Sequence, residues 1–305
     1  MTISALPGRR LMLVHAHPDD ETLGNGITIA GYAAAGVDVC LVTCTLGEEG
    51  EVLVPELEHL GADHDDALGP HRLGELEAAM AALGVTDFVR LGGDGHYRDS
   101  GMAYSETGTA IARDVLRDGI FWTADLLEAA NLLVPLIRDR RPHVLVTYNE
   151  FGGYGHPDHV QAHRVAMYGS LLAGAPSYRP DLGEAWAVPR VLWTAMSRSR
   201  MIEGIATLRA RGDTETFADW DVENRALPML SDDDEIAAVV SAPGFVGHKI
   251  AAMRAHASQI AFDGPFFAAM QVLGDDMWSE EFYRFAAGQP FPGPGPATDL
   301  FEGLE

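Results

Sequence analysis

Two short segments concentrate side chains that can bind a metal ion and transfer protons. They are residues 15–21 (HAHPDDE) and residues 155–159 (GHPDH). Imidazole and carboxylate groups suit zinc, and a catalytic zinc ion keeps three protein ligands and one open position. His17, Asp20 and His159 would supply two nitrogens and one oxygen. The pattern therefore predicts one catalytic zinc ion per chain, with ferrous iron competing for the same ligands.

The other polar groups of these segments suit acid–base chemistry. Asp19, His156 and Asp158 stand beside the predicted ligands. Hydrolysis needs one group that takes a proton from water and another that stabilises the oxyanion. A single His-Pro-Asp tripeptide is more often a loop with a helix cap than a metal site. Two such tripeptides, each after a predicted strand, favour the metal site.

Strands and helices alternate around both segments. Apolar, β-branched runs predict strands at residues 10–15, 37–46, 87–91 and 142–148, and apolar spacing predicts helices at residues 28–35, 72–83, 124–138 and 160–173. This order predicts an α/β, Rossmann-like fold with a mostly parallel sheet and helices on both faces. Ligands of such sheets bind outside the carboxyl ends of the strands. The two segments lie together if the first and fourth strands are neighbours, and Pro18 and Pro157 would each open a helix.

The second half of the chain is less regular. It contains predicted strands at residues 191–196 and 236–241, predicted helices at residues 246–257 and 265–273, and a Pro/Gly-rich tail. We therefore expect a Rossmann-like catalytic domain at residues 1–188 and a smaller α+β subdomain at residues 189–305 packed on it. The long polar segments 47–71 and 92–122 are typical of functional loops.

Composition excludes several function classes. The chain has 305 residues, with 21 Lys+Arg against 45 Asp+Glu, a formal net charge of −24. This balance disfavours nucleic acid and anionic membrane surfaces as partners. The sequence has no membrane-length apolar run and no signal-peptide core. Cys40 and Cys44 lie in an apolar run and are expected to be reduced core thiols. We therefore expect a cytoplasmic protein. The sequence lacks a dinucleotide fingerprint, and it leaves the oligomeric state open, a homo-oligomer included.

The paired HPDD and HPDH segments resemble the signatures of the PIG-L/LmbE-type zinc-dependent N-acetylglucosaminyl deacetylases. Further segments look like the actinobacterial mycothiol-pathway branch of that family, whose members remove acetate from N-acetylglucosaminyl-inositol. These segments are residues 45–52, 72–76, 98–102, 152–156 and 255–259. The resemblance covers most of residues 10–170 and thins towards the C-terminus. Residues 149–151 and 103–122 depart from the family pattern, and both flank the expected pocket.

The resemblance implies roles for matching positions. His17, Asp20 and His159 would bind zinc, and Asp19 would be the general base for the attacking water. His156 would act as general acid and stabilise the oxyanion, with Asp158 orienting it, and Tyr154 would polarise the acetyl carbonyl. The residues implied in holding the sugar and inositol hydroxyls are Glu51, Arg72, Asp99 and Met102.

Three other functions stay open at this stage. A mycothiol S-conjugate amidase shares both segments and cleaves a larger amide. A paralogous deacetylase would act on another N-acyl amino sugar of secondary metabolism. A non-catalytic protein would use the metal only to hold a sugar or brace the fold, but Asp19 argues against it, because a structural site needs no spare carboxylate beside an open position.

Overall fold

The computed structural model describes residues 5–105, 109–218, 220–224, 227, 229–262, 264, 267 and 272–305. The strands are β1 (Arg10–His15), β2 (Asp38–Thr43), β3 (Asp87–Arg90), β4 (Ala103–Tyr104), β5 (Ala110–Ile111), β6 (Val144–Thr147), β7 (Arg190–Ser197), β8 (Leu230–Ser231), β9 (Ile236–Ser241) and β10 (Glu280–Gly288). The helices are α1 (Asp20–Ala34), α2 (Leu68–Leu83), α3 (Leu126–Arg140), the single turn α4 (Gly152–Gly155), α5 (Pro157–Ala173), α6 (Arg198–Ala210) and α7 (Val246–Ala255).

One mixed sheet organises the chain, in the order β3-β2-β1-β6-β7-β10-β9, and β8 pairs with β7. Strands β3, β2, β1, β6 and β7 are parallel to one another, whereas β10 is antiparallel to both of its neighbours. Leu13 of β1 pairs with Val146 of β6. The predicted mostly parallel α/β fold is confirmed, and the strands that precede the two chemical segments are adjacent.

The sheet is buried on both faces, which explains its continuous apolar runs. Leu11 and Leu13 belong to a core shared with α1, α2 and α7, while Met12 and Val14 alternate into a second core against α3 and α5. Side chains of successive strand residues point to opposite faces. A run without polar positions is therefore what a central parallel strand requires.

Several predicted boundaries differ from the structure. Helix α1 begins at Asp20 rather than at residue 28, and Pro18 precedes it, so the expectation that Pro18 opens a helix is wrong. Pro157 does occupy the first position of α5. The strand β10, the helix α6 and the small β4–β5 hairpin were not predicted. The helix expected at residues 265–273 lies mostly outside the described residues.

The described strands after residue 188 do not form a sheet separate from β1 and β6. Strands β7, β9 and β10 extend the same sheet that contains β1 and β6. A division into domains 1–188 and 189–305 therefore stays a prediction. Among the described residues, no helix is long and apolar enough to cross a membrane.

Candidate active site

The carboxyl ends of β1 and β6 bring three possible ligand groups into one cluster. His17 Nδ1 lies 3.3 Å from Asp20 Oδ2, His159 Nε2 lies 3.2 Å from Asp20 Oδ1, and the two ring nitrogens are 3.3 Å apart. Metal–ligand bonds of about 2.0–2.1 Å in a tetrahedron place ligand atoms about 3.3–3.4 Å apart. The spacing of the three groups therefore fits a single metal ion.

Hydrogen bonds on the far side of each ring select the nitrogen that faces the cluster. His17 Nε2 lies 3.4 Å from both Asp99 Oδ1 and Asp158 Oδ2. His159 Nδ1 lies 3.1 Å from the Gly152 carbonyl oxygen. We assign the ring protons to these outer nitrogens because their partners are acceptors. The lone pairs of His17 Nδ1 and His159 Nε2 then point inward, as metal ligation requires.

Tyr148 is a part of the site that sequence reasoning missed. Its hydroxyl donates to Asp20 Oδ2 at 2.7 Å and accepts from the Ala16 backbone N–H at 2.8 Å. Its ring stacks on His159, with centroids 4.3 Å apart and planes 14° apart. Tyr148 follows β6 directly, so a tyrosine ending a buried strand was the only available signal.

Asp19 is held in an unusual backbone conformation. Its φ of 118° lies in a region that residues other than glycine avoid. Such backbone strain persists only where the surrounding structure holds the residue in place. The backbone N–H donates to Glu21 Oε2 at 2.9 Å, and the carboxylate accepts from Arg72 Nη2 at 2.8 Å. Burial raises the pKa of Asp19 to about 6, although Arg72 opposes the shift.

Arg72 serves as an internal brace in this structure. It is almost fully buried on α2, and it donates to the carbonyl oxygens of Gly47 and Pro18 as well as to Asp19. Gly47 has a φ of 68°, and a side chain there would collide with the guanidinium. These contacts connect Arg72 to Asp19, and its predicted contact with substrate hydroxyls stays a prediction.

His156 and Asp158 are positioned differently from the expectation. His156 Nδ1 accepts the Asp158 backbone N–H at 3.1 Å, which caps α5. The Asp158 carboxylate instead accepts from the Ser100 backbone N–H and hydroxyl and faces His17. The described contact between His156 and Asp158 is thus through the backbone, and orientation of His156 by the carboxylate stays a prediction. The pKa of His156 is lowered to about 2, mainly by burial and then by the nearby rings of His17 and His159.

The remaining predicted residues divide into two groups. Asp99 and Tyr154 join the cluster: the Asp99 carboxylate faces His17, and the Tyr154 ring, 39% exposed, lies 5.0 Å from the ring of His159. Burial opposes charge on Asp99, but His17 outweighs it and holds the pKa below its usual range. Met102 is half-buried three residues beyond Asp99, and Glu51 is exposed on a separate cleft of about 500 Å³.

Comparisons with known proteins decide the family. The PIG-L family model, described as GlcNAc-PI de-N-acetylase, matches residues 12–168. A relative from Kribbella flavida, named 1D-myo-inositol 2-acetamido-2-deoxy-α-D-glucopyranoside deacetylase, is 56% identical over 303 residues, which cover 99% of this chain and 100% of that protein. This chain belongs to the PIG-L family. The predicted family is confirmed, and this PIG-L member is an amide-hydrolysing deacetylase.

Solved structures support the fold of this PIG-L member. The N,N′-diacetylchitobiose deacetylase of Pyrococcus horikoshii superposes with a TM-score of 0.60 at 17% identity, covering 91% of this chain and 84% of that one. A 4-carboxy-2-hydroxymuconate hydratase of Pseudomonas putida superposes with a TM-score of 0.58 at 15% identity, covering 93% and 99%. Since a hydratase shares the fold, the fold alone does not determine the reaction.

Proposed function

We propose that the chain hydrolyses the acetamide of N-acetylglucosaminyl-inositol, a step of mycothiol biosynthesis, with one zinc ion held by His17, Asp20 and His159. The observation that carries the substrate assignment is the 56% identity, over the whole length of both chains, to a relative named for that substrate. The spacing of the three ligand groups supports the metal assignment. We place the reaction in the cytoplasm, where the buried free thiols Cys40 and Cys44 would stay reduced.

Asp19 is the proposed general base. A zinc ion in this site supplies Lewis acidity, which acidifies water and polarises a carbonyl oxygen. Asp19 takes the proton as the water oxygen bonds to the acetyl carbon. Arg72 holds the Asp19 carboxylate in place, and Glu21 holds its backbone N–H. The C–N bond then breaks, and the same carboxyl group returns the proton to the amine. The products are acetate and the free amino sugar.

His156 is the proposed donor to the oxyanion. Because Nδ1 accepts the Asp158 backbone N–H, the proton of the neutral ring is on Nε2, where it can donate. The general-acid role inferred from the resemblance would need a second proton on Nδ1, and that proton would displace the Asp158 N–H. We therefore propose a neutral His156, with Tyr154 at the mouth as a second donor. One such donor is typically worth about 3–4 kcal/mol.

Polar groups of the two long loops would select the sugar. We retain Glu51 and Met102 as proposed substrate contacts because they lie in the long loop segments 47–71 and 92–122. Arg72 and Asp99 are reassigned: Arg72 positions Asp19, and Asp99 positions His17. Both effects are indirect, so replacing either residue should lower turnover more than substrate affinity.

Amine release from three substrates tests the proposal. The purified protein, with its metal quantified, is incubated with N-acetylglucosaminyl-inositol, N-acetylglucosamine and a mycothiol S-conjugate. We expect the highest kcat/KM for the inositol glycoside. A preference for the conjugate would identify an amidase, and a preference for N-acetylglucosamine would identify a different amino-sugar deacetylase. No release at one metal per chain would overturn the substrate assignment. Reconstitution of the metal-free protein with zinc or ferrous iron compares the two metals.

A further inference from the structure

A four-residue segment after α7, residues 256–259 (HASQ), contacts the candidate site at several points. His256 is fully buried, and its Nε2 lies 3.0 Å from Glu21 Oε1, also fully buried. The other carboxylate oxygen of Glu21 accepts the Asp19 backbone N–H. Glu21 therefore joins a histidine of the C-terminal region to the backbone of the strained residue.

The same segment also holds the helix that carries Arg72. Ser258 donates its backbone N–H and its hydroxyl to the two carboxylate oxygens of Glu75, at 2.8 and 2.7 Å. Glu75 lies on α2 three residues after Arg72, about one helical turn away. The guanidinium of Arg72 in turn holds the carboxylate of Asp19. The backbone and the side chain of Asp19 are thus both fixed through residues 256–259.

A third set of contacts fixes the loop beside Asp19. The Leu53 backbone N–H donates to the Ser258 carbonyl at 2.9 Å, and Gln259 Nε2 donates to the Glu51 carbonyl at 3.1 Å. A side chain at Gly50 would collide with the Gln259 amide. The loop that supplies the Gly47 carbonyl to Arg72 is therefore held by the same four residues.

We infer that residues 256–259 form a positioning clamp for Asp19, and that His256 is its central residue. The inference rests on the proposed role of Asp19 as general base. A positive φ at a residue other than glycine persists only where neighbouring groups over-determine it. Without His256, the buried Glu21 carboxylate loses its only cationic partner among the described contacts, and the space left by the ring allows it to shift. Such a shift loosens its bond to the Asp19 N–H.

Three variants test the clamp in the full-length, metal-loaded enzyme. We expect His256→Leu to lower kcat by about 10–100-fold with KM and metal content unchanged, because displacement of a catalytic group costs turnover rather than binding. His256→Gln keeps a donor and should restore kcat to within about threefold of wild type. His143→Leu is the matched control, since His143 accepts the Arg10 N–H at the amino ends of β1 and β6, opposite the site. It should lower stability without changing kcat.

A second readout does not depend on activity. Hydrogen exchange of a peptide covering residues 17–22 should be faster in His256→Leu and unchanged in His143→Leu. Equal kcat and equal exchange in wild type and His256→Leu would overturn the clamp. So would an equal loss of kcat in His143→Leu, since any loss of packing would then have that effect. Inactive wild-type enzyme would contradict the proposed function instead, and the exchange rates would still decide whether His256 holds the 17–22 turn.

Discussion

Removal of the Tyr148 hydroxyl is expected to weaken metal binding without disturbing the rest of the site. The hydroxyl lies between the Asp20 carboxylate and the Ala16 backbone N–H, at 2.7 and 2.8 Å. Tyr148→Phe removes both hydrogen bonds and keeps the ring that stacks on His159. The substitution therefore isolates the hydrogen bonds of one residue that is not itself a proposed ligand.

The size of the effect follows from these two bonds. A hydrogen bond to a charged group contributes about 1.5–3 kcal/mol, and an unsatisfied buried N–H costs about 1–3 kcal/mol. The bond to Asp20 orients a proposed ligand, and loss of such a partner typically weakens metal binding about 10–100-fold. The unsatisfied Ala16 N–H acts on stability whether or not metal is present. We expect both a weaker metal Kd and a lower Tm of the metal-free protein.

Chelator competition measures the metal Kd, and thermal unfolding measures the Tm of the metal-free protein. Tyr178→Phe is the control, because it removes a tyrosine hydroxyl bound to Asn131 at 2.7 Å, between α3 and the segment after α5. It should lower the Tm and leave the Kd unchanged. A Kd in Tyr148→Phe within twofold of wild type would refute the role of this hydroxyl in orienting Asp20.

Three further predictions concern single groups. Asp19→Asn should lower kcat at least about 100-fold at unchanged metal content, by acetate release and metal analysis, because the amide accepts no proton; near-normal turnover would contradict it. His159→Ala should lose the metal, and full stoichiometry by elemental analysis would exclude His159 as a ligand. Burial disfavours charge on His256, but Glu21 outweighs it and raises the pKa above 6.5. Stability from His256 is therefore full below pH 6.5 and is lost as the pH rises through the raised pKa of the folded state, so the Tm difference between wild type and His256→Leu should be larger near pH 6 than near pH 9.

The parallel part of the sheet could be predicted because its strands are plain apolar runs. Strand β10 could not, since it opens on two glutamates. Glu281 is buried there because it pairs with Lys249 of α7 at 2.7 Å and accepts the backbone N–H groups of Ile27 and Thr28 in α1. These partners are distant in sequence, so no local pattern reports that a charged residue belongs to the core.

The site was predictable as a set of residues but not as a set of contacts. The two segments follow adjacent strands, which is why residue types and order were enough to bring His17, Asp20 and His159 together. The partner of each group depends on long side chains reaching across the fold. Arg72 extends from α2 to Asp19, and Asp99 extends from the loop after β3 to His17. The spacing of residues in the sequence does not predict which distant groups such side chains contact.

Solved structures of this fold include a deacetylase and a hydratase, so the fold does not by itself determine the reaction. The second apolar core extends to Ala16, and residues 17–20, which follow it, belong to neither apolar core. Residues there can change without loss of the core, so the fold fixes a place for chemistry and leaves the chemistry to local groups. In this chain Asp19 is strained, and its restraints come from α1, α2 and residues 256–259 together. The C-terminal region therefore contributes to the chemistry through position, although all the proposed ligands and proton-transfer groups lie before residue 160.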